Sequence, residues 1–139
     1  MTQACPAKEL QEILKSVSRS FYLSMVFLPP AMRAPISLAY LLARASDSVA
    51  DSSSAELDLR LRTLQEMQQA IAGELNEEAR QPLLNALQGE LAQAQSKPSE
   101  AKLLQVFGDC LHLLETSPAG EQELIGKVLQ TIIEGQCWD

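Results

Sequence analysis

Leu57, Leu61, Leu64, Met67 and Ile71 recur at three- and four-residue steps. That spacing lays one apolar stripe along a helix over 55–75. Ser53, followed three residues later by Glu56, reads as the capping box that opens it. A second division of faces runs through 31–51. With Tyr40 set at zero on a helical wheel, Leu38, Leu42, Ala45 and Val49 fall between about 140° and 200°. Arg33, Ser37, Arg44, Asp47 and Asp51 fall within about 60° of Tyr40, on the opposite side.

Prolines punctuate the rest. They predict helices over 7–18 and 20–28, the latter closed by Pro29-Pro30, and over 81–95, 99–115 and 119–139. Pro82, Pro98 and Pro118 mark the starts of the last three, with Ser117 a candidate N-cap. Pro35 lies near the start of its helix, where a missing N–H costs least. The stretch QGELAQAQSKPSE is the most polar and the weakest candidate for regular structure.

Composition agrees with an all-α fold. There are 6 glycines and 4% aromatics, and Leu, Ala, Gln and Glu dominate, which starves strands of the residues they favour. At 139 residues, 46% hydrophobic, the chain has the size of one domain with a real core. No repeat, long heptad run or linker divides it. The net charge of −7, with only 11 Lys and Arg, argues against a nucleic-acid partner. MTQACPAKELQEI lacks the apolar run of a signal peptide. Cys5, Cys110 and Cys137 form no CxxC pair and are odd in number. A reducing, cytoplasmic location is the expectation.

The chemistry concentrates in RASDSVAD, residues 44–51. Asp47 and Asp51 are one helical turn apart, so their carboxylates can share a cation. Three readings compete. One is a solvated face with an ordinary Arg44–Asp47 surface pair. Another is a Mg²⁺ site, since two carboxylates suit an ion that keeps waters and completes its shell with substrate phosphates. Arg44 would then fork onto the same phosphates. The third, a partner-helix surface, fits less well because Tyr40 is the stripe's one large aromatic. Spacing leaves the first two open. His112, on DCLHLLE, has no visible acid–base partner, and Asp109 and Cys110 beside it are too few ligands for zinc.

The stretch SVSRSFYLSMVFLPPAMRAPISLAYLLARASDSVAD (16–51) resembles the N-terminal signature of the squalene/phytoene synthase family. The likeness rests on Ser18-Arg19-Ser20-Phe21, a proline-closed helix, and Tyr40-xxx-Arg44-xx-Asp47-xxx-Asp51 in register. IIEGQCWD (132–139) is similar to a later family helix, and PLLNAL (82–87) to a short run many members carry. Val17 stands where many relatives have histidine. Gln136-Cys137-Trp138 replaces a more basic or methionine-rich run of carotenoid-type members, which tilts the likeness towards the bacterial squalene-type branch.

The resemblance implies an isoprenoid-synthase-type helical domain that joins two prenyl diphosphates head to head, with farnesyl diphosphate the expected substrate. Asp47 and Asp51 would hold Mg²⁺ against one diphosphate and Arg44 would add positive charge. Ser18 and Ser20 would hydrogen-bond diphosphate oxygens, and Tyr40 would orient the diphosphate or buffer the allylic cation. Phe21 would line an apolar tunnel, and Asp139 would make an accessory polar contact there. Attack on the second substrate, closure of a cyclopropyl ring and a second ionisation would give a C30 or C40 product. NADPH enters only in members that reduce it. The resemblance also implies a second aspartate-rich helix after Asp139, so residues 1–139 are expected to be the N-terminal half of such a domain. That half would work with its C-terminal partner or by self-association, with peripheral membrane contact fitting a lipid product. The competing expectation is a non-catalytic relative that uses the scaffold for assembly or lipid binding.

Overall fold

The computed structural model describes residues 4–52 and 55–138. Among them there are eight α-helices and no strand: α1 (Ala4–Val17), α2 (Arg19–Ser24), α3 (Pro30–Ala50), α4 (Leu57–Ile71), α5 (Glu77–Ala86), α6 (Pro98–Gln105), α7 (Phe107–Glu115) and α8 (Ala119–Trp138). The all-α expectation holds.

Helix α3 is the centre, packed against α4, α6, α7 and α8. Leu38, Leu42, Ala45 and Val49, the face opposite Tyr40, are all buried there. They meet Leu64 and Met67 of α4, Leu103 and Leu104 of α6, Phe107 and Leu111 of α7, and Leu129 and Ile133 of α8 in one core. Fully burying such side chains contributes about 1.5–3 kcal/mol each. That is why α3 tolerates weak helix formers such as Val49 and Ser46.

Several boundaries differ from the expected ones, each for a local reason. Helix α4 begins at Leu57, two residues late, and Ser53 of the expected capping box lies outside the described residues. Leu57 is consequently exposed in the first turn rather than on the buried stripe. The same helix stops at Ile71, short of 75, because Gly73 takes φ +79°. Gly73 N–H then donates to the Ala70 carbonyl at 3.1 Å and Glu74 N–H to the Gln69 carbonyl at 2.8 Å. This is the Schellman closure, which needs a residue free to adopt the left-handed region.

Helix α5 starts at Glu77, before Pro82, because Asn76 caps it by accepting from Ala79 N–H at 2.8 Å. Pro82 and Pro35 both lie inside helices. The carbonyls they leave without a helical donor belong to exposed residues, Glu78 and Ala31, where water can serve. The expected helix over 81–95 contains a π turn at Leu87–Leu91. Leu83, Leu87 and Leu91 are all fully buried yet spaced by four. On a regular helix each four-residue step drifts about 40°. The wider turn keeps Leu91 facing the core.

Residues 99–115 form two helices broken at Val106. Val106 and Gly108 are weak helix formers, and the break falls at the first of them. The end of the expected 20–28 helix tightens into a 3₁₀ turn, Met25–Phe27. Ser117 does not cap α8; its hydroxyl donates back to the Leu113 carbonyl at 2.8 Å, and Gln122 Nε2 donates to the Ser117 carbonyl at 2.7 Å.

Candidate functional site

The polar stripe of α3 is half-sunk between α2, α6 and α8 and is not a freely solvated face. At its upper end Tyr40 stacks on Phe21 of α2, ring centroids 4.1 Å apart and 14° from parallel. Stacked aromatic pairs add about 0.5–1.5 kcal/mol beyond burial. The stack fixes α2 against α3. Ser18 caps α2, its Oγ accepting from Phe21 N–H at 3.3 Å. Ser20 is exposed, and its carbonyl accepts from Ser24 Oγ at 2.9 Å. Ser18 and Phe21 therefore have structural work regardless of any ligand, whereas the Ser20 hydroxyl faces solvent.

Arg44 lies one turn further on. Its Nη2 donates to Glu100 Oε2 at 2.6 Å, with the two side chains 30% and 17% exposed. Ser48 Oγ donates to the Arg44 carbonyl at 3.1 Å and lies 3.4 Å from Glu100 Oε1. Arg44 Nε is buried without a partner. The arginine thus pairs with Glu100 of α6, not with Asp47 as in the surface-pair reading. Beyond it Gln95 Nε2 donates to Ser52 Oγ at 2.7 Å, tying the end of α3 to the segment after the π turn.

Asp47 is half-buried, and Oδ1 accepts from Gln136 Nε2 of α8. Burial pushes its carboxyl above the ordinary carboxylate range, and the like charges of Asp51 and Glu100 push the same way. Gln136 and Arg44 oppose that shift. Asp51 follows as the C-terminal cap of α3, its side chain exposed and its N–H on the Asp47 carbonyl at 2.9 Å.

Asp47 thus opens the last turn of α3 and Asp51 caps it, and that turn holds no basic residue. A helix C-terminus carries partial negative charge and disfavours carboxylates. Burial, mutual repulsion and the helix dipole all raise the energy of this pair, and a bound cation would relieve all three. The donor set is hard oxygen, as Mg²⁺ requires. It is also incomplete as a cage: among the described residues no group of three or more His, Cys, Asp or Glu could hold a metal. Two carboxylates plus water and phosphate oxygens fit; an all-protein site does not.

The structure brings Tyr40, Arg44, Asp47 and Asp51 onto one side of α3 and Phe21 beside them. Asp139 lies outside the described residues. Glu100, Gln136 and Gln95 were not among the candidates. Glu100 ends the polar stretch QGELAQAQSKPSE, the weakest candidate for regular structure, and only the partner needed by a half-buried Arg44 hinted at it. Gln136 lies within the C-terminal likeness, but no spacing rule connects it to Asp47, 89 positions earlier.

The sequence profile of the squalene/phytoene synthase family matches residues 14–139, which contain every described site residue. No curated protein and no solved structure matches the chain.

Proposed function

The chain belongs to the squalene/phytoene synthase family, prenyltransferases that couple prenyl diphosphates head to head, and on that premise we propose that Asp47 and Asp51 are one half of a Mg²⁺–diphosphate clamp. The observation that carries the reading is the carboxylate pair itself, set at the C-terminal end of α3 with one member half-buried on Gln136. When bound, Mg²⁺ supplies positive charge to the departing diphosphate.

The chain's own residues set the stage for that. Gln136 holds Asp47 in one orientation, and Glu100 holds the Arg44 guanidinium on the same side of α3. Preorganised charge of this kind acts where negative charge develops on the leaving group. The Phe21–Tyr40 stack offers an aromatic wall one to two turns away, suited to a prenyl chain and to keeping water from an allylic cation. The exposed Ser20 hydroxyl and Ser18 are assigned to diphosphate oxygens, Ser18 only if it leaves its cap. The assigned substrate is farnesyl diphosphate, giving a squalene- or phytoene-type product. The ligands that complete the clamp are assigned to a second aspartate-rich helix of the family fold.

Calorimetric titration of the full chain with inorganic pyrophosphate and with farnesyl diphosphate, with and without Mg²⁺, tests this. Binding is expected only with Mg²⁺, and Asp47→Asn with Asp51→Asn should weaken it more than about tenfold, about 1.4 kcal/mol. Equal binding by the double variant, or binding independent of Mg²⁺, would overturn the assignment.

A further inference from the structure

Helix α8 turns Ile125, Leu129 and Ile133 into the core. The next position on that stripe is Gln136, where the helical period calls for an apolar side chain. Its amide is used on one side alone. Nε2 donates to Asp47 Oδ1, whereas Oε1 is buried with no partner among the described residues. A buried acceptor left unpaired is a cost to stability, and methionine or leucine at 136 would not incur it. Local rules broken in this way collect at functional sites.

The orphaned oxygen shares its amide with the nitrogen that meets Asp47, so turning the amide about its terminal torsion exchanges the two. That torsion is broad and roughly two-fold, and the two ends of the amide have nearly the same shape. Oε1 gives up no hydrogen bond in leaving its present place. What it would meet is the Asp47 carboxylate, and two acceptors face to face repel. A cation between them turns that repulsion into attraction. Ile133, one turn earlier, is fully buried and keeps this stretch of α8 against the core, so the amide stays within reach of Asp47.

Resting on the reading of Asp47 and Asp51 as a Mg²⁺ site, we propose that Gln136 is the third protein oxygen of that site. Nε2 holds Asp47 while the cation is absent, and Oε1 turns in to ligate the cation when it arrives. Amide carbonyls are among the hard oxygens such ions accept. Three protein oxygens still leave places for water and phosphate. As a neutral ligand, Gln136 also adds no negative charge beside two carboxylates at a helix C-terminus, as a third Asp or Glu would.

Calorimetric titration of the full chain with Mg²⁺ alone and with Co²⁺ alone tests this. Gln136→Met keeps the length and removes both polar atoms; it should weaken Mg²⁺ by about tenfold or more, with an unchanged circular dichroism spectrum. Gln136→His separates a ligand from a prop. Its imidazole can still donate to Asp47, but as a ligand it suits Co²⁺ better than Mg²⁺, so the preference for Co²⁺ over Mg²⁺ should rise well above that of wild type. A residue that acted only by holding Asp47 would move both affinities together. Nuclear magnetic resonance gives an independent readout. The side-chain amide protons of Gln136, identified by their loss in Gln136→Met, should move upfield on adding Mg²⁺ as the bond to the carboxylate is given up. In the Asp47→Asn, Asp51→Asn double variant they should not respond. Undiminished Mg²⁺ binding by Gln136→Met, or an unchanged metal preference in Gln136→His, would overturn the proposal and leave the carboxylate pair standing. No Mg²⁺ binding by wild type would overturn both.

Discussion

Glu100→Gln isolates the ion pair that holds Arg44. The substitution keeps side-chain shape and one acceptor oxygen, so what it removes is charge. Exposed pairs contribute about 0.2–1 kcal/mol, and removing one partner of a fully buried pair costs about 3–5 kcal/mol. The Arg44–Glu100 contact, 2.6 Å with 30% and 17% of the side chains exposed, stands between those limits. Arg44 Nε is already buried without a partner, so the guanidinium depends on Glu100 for its hydrogen bond. A loss of about 1.5 kcal/mol follows, with neighbouring Ser48 adding little at 3.4 Å. For a chain of 139 residues that is a fall in Tm of about 5 °C. Thermal unfolding by circular dichroism measures it, in a double-mutant cycle with Arg44→Met. The coupling between the two sites should exceed about 0.5 kcal/mol. Additive effects would mean that the pair holds nothing, and the claim that Glu100 positions Arg44 would fail.

Two further expectations concern single residues. Asp47→Asn should raise Tm at neutral pH, since it removes a carboxylate whose ionisation burial and Asp51 oppose while leaving an oxygen for Gln136. A raised carboxyl means that, within the window above the ordinary carboxylate range, the unfolded chain holds fewer protons than the folded one, so wild-type stability falls as pH rises through it. The gain should therefore shrink as pH drops to that range, and a gain that persisted there would point to some other cause. Gly73→Ala should cost about 1 kcal/mol, read by urea unfolding. Open space surrounds its Cβ position, so the cost would come from φ +79° alone. A neutral result would show that the α4 terminus relaxes into another closure.

The helical nature of the chain and the inward face of α3 could be read from Leu38, Leu42, Ala45 and Val49, because a 3.6-residue period is a local property of the sequence. The register of Tyr40, Arg44, Asp47 and Asp51 is equally local. What escaped was set by distant partners or by backbone conformation. The π turn exists because three leucines spaced by four must all face one core. Gly73 ends α4 through a left-handed conformation that an apolar stripe does not report. Arg44 and Asp47 find their partners in α6 and α8, from positions 100 and 136. A wheel drawn for one helix shows which residues share a side. It is silent on what that side meets.

Those partners change the electrostatics of the stripe. Arg44 beside Glu100 is neutral as a pair, so the field left at the end of α3 is that of Asp47 and Asp51, sharpened by the helix C-terminus. A diphosphate approaching alone meets repulsion from both carboxylates. A divalent cation is attracted, and it then presents the positive charge the diphosphate needs. On this reading cation binding precedes diphosphate binding, and Arg44 is a secondary contact for the anion. Glu100 also reaches Asp47 electrostatically, pushing its carboxyl up. Removing that charge while freeing Arg44 should then weaken Mg²⁺ and favour the anion. Glu100→Gln should need more Mg²⁺ to raise Tm than wild type does, yet bind pyrophosphate at least as tightly once Mg²⁺ saturates. If instead pyrophosphate binding collapsed with the pair intact to Mg²⁺, Arg44 would have to act as the primary anion contact, held in place by Glu100.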